Sequence, residues 1–571
     1  MKHKRLIKSR SKKLGAILTV SSLFTVNFLS PMAALAQGTP DIQMEDGDFV
    51  HDLEDFVLPD LGKLDDLGKL DALNLLEAEQ EQFELPDIEE PNPTNQMEVE
   101  VGTFAELQRV IDEAVPDTAL VINITRNIEF DDVIVIEGGL DISLQSESRI
   151  QLRQRSGRHF IVLSNSLLTV RDGVTVYGTG SGSGTAGGIE VHNAIFNLEG
   201  GIIRYCEADL GGGVYINNGI FNMTRGSVQE NRSSISGGGV YVDNGILNLL
   251  NGNIENRSSI SGGGVYVKNG EFNMYGGVVG GYAVLGNGGG LYALNGEFNM
   301  YGGIISDGYA EVGGGMYLNG GTANLAGGII RTNFAEYGGG MYLNVGETNL
   351  TDVNFYYNVA DYGAGMFINE GTANLTDVNF LENYSRLAGG AIFLNVGEAN
   401  LTDVDIIHSW ADFGGGMFIN EGTANVTDVD IIHSWADFGG GIFLNGGTAN
   451  LNGGSIDRNE ANLGGGMFVT EGTVNMTGAD ISHNRATTAG GGVYIDRGGN
   501  LEMENGSITY NEALQGGGVV VGDLATFTMR GGIIDNNTAP RHCAISVNLS
   551  GTFNHEGGVL AGYCIPVVDV S

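Results

Sequence analysis

Glycine triplets, or close variants of them, recur along this chain at intervals of 25 or 26 residues. They begin at residues 186, 211, 237, 262, 288, 313, 338, 363, 389, 414, 439, 464, 490 and 516. Between two triplets each unit carries three short apolar runs, separated by Asn-Gly, Gly-Gly or Thr-Asp turns. A period of this length is typical of a solenoid. The pattern predicts an all-β fold, a right-handed parallel β-helix of about 14 coils over residues 186–540.

The unit that begins at Gly313 shows how each apolar run becomes a strand. Met316 and Leu318 alternate with Tyr317, so a period of two directs the aliphatic side chains to the core and the ring to the opposite face. The sequence has no proline between residues 116 and 540. That is expected where almost every backbone N–H must donate to a neighbouring coil.

Residues 101–185 precede the regular repeats and predict a cap followed by the first strands. Thr103 and Glu106 have the spacing of a capping box, and Leu107, Val110 and Ile111 then fall on one helical face. We expect a short helix over 104–115 that covers the open end of the sheet. Short β-branched segments follow it at 120–124, 133–136, 142–144, 160–163 and 167–170.

The two ends of the chain are expected to lie outside the repeats. Residues 1–36 combine seven Lys or Arg residues with an apolar stretch that ends Ala34-Leu35-Ala36, which predicts a Sec-type bacterial export signal and a secreted or cell-surface protein. Residues 37–100 hold 20 Asp or Glu and five of the nine prolines, so we expect an acidic, disordered spacer. Residues 541–571 are expected to be the C-terminal end or cap, and whether the chain is truncated there stays open.

The charge of the chain limits the classes of partner that it can bind, and its cysteine content limits what disulfides can contribute to its stability. Removal of the signal leaves 21 Lys and Arg against 69 Asp and Glu, a net charge of −48. Such an acidic surface disfavours nucleic acid and anionic lipid, and no integral membrane segment is expected after the signal. The chain has three cysteines, Cys206, Cys543 and Cys564, which are too few for disulfides to stabilise 571 residues. A Cys543–Cys564 disulfide and three free thiols both fit the spacing.

One asparagine recurs in twelve consecutive coils. Because equivalent positions of a solenoid lie directly above one another, the side-chain amides can donate along the axis from coil to coil. We interpret the column as a structural ladder rather than a ligand face. Its members are Asn197, Asn222, Asn248, Asn273, Asn299, Asn324, Asn349, Asn374, Asn400, Asn425, Asn450 and Asn475.

An aromatic residue occupies the middle of the first run in most coils. Polar residues follow two positions later, so we expect the rings to face outward, where stacked rings beside amides suit a sugar chain or a partner protein. Shielding of the sheet face is the alternative. The binding candidates are Tyr317, Tyr342, Phe367, Phe393, Phe418 and Phe443 with Asn369, Asn395 and Asn420.

A shorter column of carboxylates consists of Asp352, Asp377, Asp403 and Asp428. Stacked carboxylates repel one another, and a bound Ca²⁺ would relieve the repulsion. The Gly-Gly-x-Gly-x-Asp repeat of calcium-binding solenoids is absent from the sequence, and exposed carboxylates can simply hydrate. Ca²⁺ is the single cofactor that we consider.

Residues 402–416 and 427–441 are identical in sequence and contain both tryptophans of the chain, Trp410 and Trp435. The His408-Ser409 pair with Asp412 suggests a hydrolytic triad, but neighbours in a strand point to opposite faces. An active site also needs one preorganised constellation rather than two equal copies. We therefore favour a duplicated binding stripe or a structural role.

The repeat resembles a known family. Gly-Gly-Gly-Val-Tyr-Val at 237–242, together with Phe355-Tyr-Tyr-Asn358 and Ile-Thr-Tyr-Asn511, is similar to the Gly-Gly-[Ala/Ile] and Phe-x-x-Asn motifs of chlamydial polymorphic outer-membrane proteins and related β-helix surface proteins. The resemblance covers about 186–540. It implies a pectate-lyase-like superfamily fold and adhesion or display at the cell surface. The chain departs from the chlamydial pattern because no barrel-like region follows the repeats, which leaves its anchoring open.

Three functions fit this fold. We expect an adhesin-like protein that binds a glycan or an extracellular protein through its stacked ladders, and a structural stalk is the alternative. A polysaccharide lyase or hydrolase is the rival class, since a fold does not fix a function. Arg331 with Asp352 and Asp377 is the nearest catalytic candidate, but coils of uniform length build no cleft. We therefore expect no catalytic residues.

Overall fold

The computed structural model of the protein describes residues 96–179, 186–258, 260–540 and 544–561. These residues form a right-handed parallel β-solenoid of about 18 turns with 2% helix. The predicted all-β fold is confirmed. The coil number is higher than the 14 expected because the segments on either side of the regular repeats also form coils.

Each coil contributes one strand to sheet 1, which carries the first run after the glycine triplet. Strands of successive coils pair in parallel with ring opposite ring, as Tyr317 with Tyr342 and Phe418 with Phe443, and the register shifts only at the corner after Leu318 in the pairing of the strands at 316–326 and 341–351. The strands of sheet 1 are Ile134–Ile136, Gly157–Leu163, Ala186–His192, Val214–Asn217, Val240–Asp243, Val265–Lys268, Leu291–Leu294, Met316–Ala326, Met341–Thr351, Met366–Ile368, Ile392–Leu394, Met417–Ile419, Ile442–Asn445, Met467–Thr470, Val493–Asp496, Val519–Val521 and Ile545–Val547.

Sheet 2 carries the second run of each coil. The strands at 316–326 and 341–351 turn the corner and belong to both sheets. The other strands of sheet 2 are Gln96–Val101, Ala119–Ile124, Asp141–Gln145, Leu167–Arg171, Ile195–Arg204, Ile220–Ser236, Ile246–Leu249, Glu271–Met274, Glu297–Met300, Thr372–Thr376, Glu398–Thr402, Thr423–Thr427, Thr448–Asn452, Thr473–Met476, Asn500–Met503, Thr526–Met529 and Thr552–His555.

Sheet 3 carries the third run, and the ends of the strands at 195–204 and 220–236 reach into it. Its other strands are Ile128–Glu129, Ile150–Gln154, Val174–Gly178, Asn253–Ser258, Val278–Ala283, Ile304–Ser306, Ile329–Arg331, Asn354–Tyr356, Asn379–Leu381, Asp405–Ile407, Asp430–Ile432, Ser455–Asp457, Asp480–Ser482, Ser507–Thr509, Ile533–Asp535 and Val559–Leu560.

A fourth segment links sheet 3 to the next glycine triplet, and we call it the cover segment. In the regular coils it occupies 308–312, 333–337, 358–362, 383–388, 409–413, 434–438, 459–463, 484–489 and 511–515. Single parallel bridges join these segments from coil to coil. In places they lengthen into the short strands Glu207–Leu210, Val359–Tyr362, Tyr384–Ala388, Glu460–Leu463 and Arg485–Ala489.

The N-terminal end of the solenoid is covered as the sequence predicts. The helix Phe104–Asp112 begins with a capping box, in which Thr103 Oγ1 accepts from the Glu106 N–H at 3.2 Å and the Glu106 carboxylate accepts from the Thr103 N–H at 3.1 Å. Leu107 is fully buried against the core. The helix ends at Asp112, three residues before the predicted end.

The boundaries of the solenoid differ from those expected. Gln96–Val101 is a strand that pairs with Ala119–Ile124, so the solenoid begins inside the segment predicted as a spacer. Residues 544–561 continue the coils rather than forming a separate cap. The predicted signal, the rest of the spacer, Cys543 and Cys564 lie outside the described residues. Cys206 is a free, buried thiol, and none of the described helices is long and apolar enough to cross a membrane.

A buried row of asparagines, which we call the inner ladder, opens the cover segments. Asn358 donates from Nδ2 to the Ile330 carbonyl at 2.9 Å and to Asn383 Oδ1 at 3.0 Å, and its backbone N–H donates to that same oxygen at 3.1 Å. Each amide therefore satisfies buried backbone groups where the chain leaves sheet 3, and an unpaired backbone group at this depth would be costly. The runs of the inner ladder are Asn231 and Asn256; Asn333, Asn358 and Asn383; and Asn459, Asn484, Asn511 and Asn537.

The triplet 464–466 shows why three glycines follow each cover segment. Gly464 has a φ of 65°, which favours glycine. A Cβ on Gly465 would lie 2.5 Å from the Gly491 carbonyl oxygen, and one on Gly466 would lie 2.9 Å from Nδ2 of Asn484. The third glycine thus makes room for the asparagine of the next inner-ladder rung.

The inner ladder is interrupted at Gly281 and Gly308, and again in the identical segments 402–416 and 427–441, where Ser409 and Ser434 replace asparagine. Both serines are 1% exposed, and neither hydroxyl has a hydrogen-bond partner among the described residues. Ser409 follows a triplet that ends in Ala391, whose methyl group occupies the space of the third glycine. Ser434 follows a triplet that ends in Gly416, so the space for an amide is retained there.

We expect Ser434→Asn to stabilise the fold by about 1 kcal/mol, because the new amide would join Asn459 and satisfy buried backbone groups. Urea unfolding followed by circular dichroism measures the change. Ser409→Asn is the matched control and should destabilise, because its amide meets Ala391, and adding Ala391→Gly should reverse that loss. Equal effects of the two single substitutions would contradict this account of the triplet.

Candidate ligand-binding surface

The aromatic column of sheet 1 forms one continuous stack. From Tyr215 to Tyr494 the centroids of consecutive rings lie 4.6–5.6 Å apart, and the interplanar angles do not exceed 16°. The rings do not face solvent, however, and that expectation is wrong. The exposed fraction is 0% for Phe367 and Phe443, 1% for Phe418, 4% for Phe393 and 7% for Tyr317, and Tyr342 is half-buried.

The cover segments bury this stack from outside. The last aromatic residue of a cover segment lies edge-on against the sheet 1 ring of the coil after next, as Tyr337 against Phe367 at 5.8 Å and 87°, and Phe413 against Phe443 at 5.5 Å and 86°. Sheet 1 therefore packs on both faces, with aliphatic residues inside and rings outside. The prediction assumed two faces, core and solvent, and did not include a second layer.

The amides beside the sheet 1 rings are joined to one another. Asn369, Asn395 and Asn420 each donate from Nδ2 to Oδ1 of the equivalent asparagine in the preceding coil, at 2.9, 2.8 and 2.9 Å. Asn445 continues the row onto Asn420 at 2.9 Å. These groups form a structural row beside a buried stack, so they do not flank an exposed aromatic platform.

The twelve-coil asparagine column lies on sheet 2 and is an unbroken chain of side-chain hydrogen bonds. Each Nδ2 donates to Oδ1 of the preceding rung at 2.7–3.1 Å, from Asn222 onto Asn197 up to Asn475 onto Asn450. Most of these side chains are half-buried. The geometry is that of a structural ladder.

The aspartate column lies at the corner between sheets 2 and 3. Asp352, Asp377, Asp403 and Asp428 are exposed and have φ values of 51–55°, a left-handed conformation that aspartate tolerates better than most residues. Turn geometry thus accounts for the residue type. No group of three or more His, Cys, Asp or Glu in the described part of the chain is arranged to hold a metal ion.

Neither set of candidate catalytic residues is brought together as a catalytic site in the structure. Ser409 points into the interior, whereas the His408 ring stacks on His433 at 5.2 Å at the corner that follows sheet 3. Arg331 ends its sheet 3 strand, whereas Asp352 occupies the corner that precedes the next sheet 3 strand. The arginine and the aspartate column therefore lie at opposite ends of sheet 3.

Tyr205, Tyr357 and Tyr510 are exposed at the corner that precedes the cover segment. A further column of six aromatic residues, exposed or half-buried, lies at the second position of cover segments. We call this column the outer stripe. Its tightest part is a stack of three rings, in which Tyr384 and Trp410 lie 4.5 Å apart at 5° and Trp410 and Trp435 lie 5.1 Å apart at 4°. The members of the outer stripe are Tyr282, Tyr309, Phe334, Tyr384, Trp410 and Trp435.

The outer stripe is open to solvent. The exposed fraction is 47% for Tyr282, 44% for Phe334 and 36% for Trp435. Centroid distances of 4.5 and 5.1 Å exceed the contact distance of about 3.5 Å between aromatic carbons, so the nearly parallel rings overlap with an offset. Part of each ring face is therefore available to a ligand.

A row of carboxylates runs beside the outer stripe, two positions further along each cover segment. We call it the acidic row. The intervening residue points inward, as Ala411 and Ala436 do, so ring and carboxylate share the outer side. The members of the acidic row are Glu311, Glu336, Asp361, Asp412 and Asp437, and Arg386 occupies the row in the coil of Tyr384.

Several carboxylates of the acidic row are partly buried, and this burial raises their pKa values. Asp412 has its pKa raised to about 6, first by burial and then by the neighbouring charge of Asp437. Burial also raises the pKa of Asp437 and Glu311. Asp361 pairs with Arg386 at 2.7 Å, and Asp437 accepts from Asn462 at 2.7 Å. Among the residues that the structure describes, none donates a hydrogen bond to the Asp412 carboxylate.

This arrangement suits recognition of an extended ligand. Offset rings offer apolar contact, and adjacent carboxylates accept hydrogen bonds from hydroxyl or amino groups. The break in the inner ladder lies directly behind the tryptophans, since Ser409 and Ser434 precede them in sequence. Local departures from the structural rules of a fold concentrate at functional sites.

The sequence contains a signal for this surface outside the sheet 1 column. Trp410 and Trp435 are the only tryptophans of the chain and stand at the same place in two coils. Counting back four or five residues from each glycine triplet gives Tyr309, Phe334 and Tyr384 as well. The two identical segments alone predict a duplicated binding stripe or a structural role, and the stripe extends to coils outside them.

Two comparisons with known proteins were without a match. No protein-family model matches the sequence. A search of curated proteins found no similar protein.

The raised pKa of Asp412 predicts a pH dependence of stability. The folded protein binds this proton more tightly than the unfolded chain, whose ordinary value is 3.8, so its stability should increase as the pH falls from about 6 towards 4. Asp412→Asn should remove this contribution. Thermal unfolding midpoints of both proteins across this range test it, and parallel pH profiles would contradict it.

Proposed function

We propose that this chain is an adhesin-like binding protein that holds a glycan chain along the outer stripe. The observation that carries the proposal is the stack of Tyr384, Trp410 and Trp435 on the outer side of the cover segments, in which Tyr384 and Trp410 are half-buried and Trp435 is exposed. Aromatic side chains that are left exposed on an otherwise well-packed surface mark interaction sites. A row of offset rings along the solenoid axis favours a ligand that is itself long and regular.

A glycan fits the chemistry of the outer stripe. The C–H faces of sugar rings pack on indole and phenol rings, while their hydroxyl groups need acceptors nearby. Asp412 and Asp437 supply carboxylate oxygens beside the two tryptophans. A protein ligand is the second candidate, and the apolar residues Ile235 and Ile260 favour it, because they continue the exposed face at 45% and 47%.

Shielding of a sheet face accounts for the rings of the sheet 1 stack, but it does not account for the rings of the outer stripe. The sheet 1 rings are covered and stabilise the packing of two layers. The outer stripe has no further described layer above it, so the stacked indoles leave apolar area in water. A structural stalk requires the ladders and the covered stack, but it does not require exposed tryptophans.

The setting that we propose is a bacterial cell surface or the secreted fraction. The export-type N-terminus and the acidic spacer support it. The Phe-x-x-Asn motif adds support, because Asn358 and Asn511 belong to the inner ladder that anchors each cover segment. The resemblance to chlamydial polymorphic outer-membrane proteins and the pectate-lyase-like superfamily is part of this proposal. We propose binding without catalysis.

Replacement of both indoles should abolish ligand binding while the fold persists. Trp410→Ala with Trp435→Ala removes the exposed part of the stack, and the predicted loss on a glycan array is at least tenfold in affinity. Tyr275→Ala with Tyr301→Ala is the matched control, because these two rings also stack, at 5.0 Å and 14°, and are half-exposed outside the outer stripe.

Intrinsic fluorescence offers an independent readout of the same proposal. Both tryptophans of the protein lie in the outer stripe, so a ligand that covers it should shift their emission. Retention of glycans or cells by the double tryptophan variant, with normal circular dichroism, would mean that recognition lies elsewhere.

A further inference from the structure

The acidic row narrows the class of glycan that the outer stripe would accept. Five of its six positions are carboxylates, and the sixth, Arg386, is already paired with Asp361. Asp412 is half-buried, lies next to the charge of Asp437, and receives no hydrogen bond from the described residues. A ligand that brings positive charge to this row would relieve both the desolvation and the repulsion.

We propose that the ligand is an amino-sugar chain with free, protonated amino groups. This inference rests on the proposed function, because it assigns a chemical class to the glycan of the outer stripe. One sugar ring would pack on each indole. Successive rings of a β-1,4-linked chain turn their carbon 2 groups to opposite sides, so the ammonium group of one of the two rings would lie against the carboxylate of its coil. Ammonium groups are also attracted to the faces of tryptophan rings.

The axial spacing of the rings and carboxylates favours a sugar chain over a peptide as the ligand. Trp410 and Trp435 are 5.1 Å apart, and each coil offers one ring and, next to it, one carboxylate. An extended peptide advances about 3.3 Å per residue and places side chains on one face about 6.6 Å apart, so its basic side chains would drift out of step with the coils. A pyranose ring is about as long as one rung of the solenoid.

The same charge pattern excludes acidic polymers. Chains of uronic acids, sulfated glycans and nucleic acids would bring further negative charge to a row whose carboxylates already repel one another. The overall net charge of −41 acts in the same direction. The neutral and acetylated forms of a sugar chain would keep the ring contacts but would lack the charge contacts.

Three hexasaccharides test the inference, because they share the β-1,4 linkage and differ only at carbon 2 of each ring. They are the hexamers of glucose, of N-acetylglucosamine and of glucosamine. Titration of the full chain near about pH 7, followed by tryptophan fluorescence and calorimetry, measures each affinity. An ammonium–carboxylate pair should make the glucosamine hexamer about threefold tighter than the other two, and salt should reduce that advantage.

Matched variants separate the charge contacts from the ring contacts. Asp412→Asn with Asp437→Asn should remove the preference for the glucosamine hexamer, so that the three hexamers bind this variant with similar affinity. Glu370→Gln with Glu421→Gln makes the same change of charge at exposed turns outside the outer stripe, and should preserve the preference.

Each outcome decides between the two proposals. If all three hexamers bind equally and the double tryptophan variant binds none, the proposed function stands and the amino-sugar inference is wrong. If none of the hexamers binds, the proposed function itself fails. If a hexalysine peptide competes as well as the glucosamine hexamer, charge alone is recognised and the assignment to a sugar chain is overturned.

Discussion

The structure depends on the axial register that places each side chain directly above its counterpart in the preceding coil. Asparagine over asparagine completes an amide ladder, ring over ring completes a stack, and the glycine triplets let backbone approach backbone. A shift by one residue would turn every core side chain towards the wrong face. The sequence maintains this register through the constant spacing of 25 or 26 residues between glycine triplets.

The cover segment converts a three-sheet solenoid into one with a second layer on sheet 1. The inner ladder holds its beginning, and its final aromatic residue packs on the sheet 1 stack, so only its middle faces water. That middle carries the outer stripe and the acidic row. The identical segments around Trp410 and Trp435 lack two inner-ladder amides, so these rings stand where the supporting row is interrupted.

Sequence periodicity was sufficient to predict the parallel solenoid, the capping helix and the columns that become ladders, because a period of two within strands and of 25 between them fixes which residues meet. It was not sufficient to assign the solvent face. Tyr357 adopts a φ of 53° and changes the direction of the chain before Asn358, so alternation cannot be counted across this corner. Phe367 was assigned to solvent because the polar Asn369 shares its face, although Tyr337 covers it. Trp410 and Trp435 stood out through their duplicated segment, but the other stripe residues were missed because short segments between strands have no periodicity of their own.

Deletion of a single coil tests the role of register most directly. Removal of residues 414–438 takes out 25 residues and joins Phe413 to Gly439, which restores the same local sequence. The account predicts a β-rich circular dichroism spectrum and an unfolding midpoint close to that of the parent, because each coil contacts only its neighbours. Removal of residues 414–425 leaves half a coil and should disrupt the ladders on both sides. A half-coil deletion that unfolds at the parent's midpoint would contradict the claim that register holds the solenoid together.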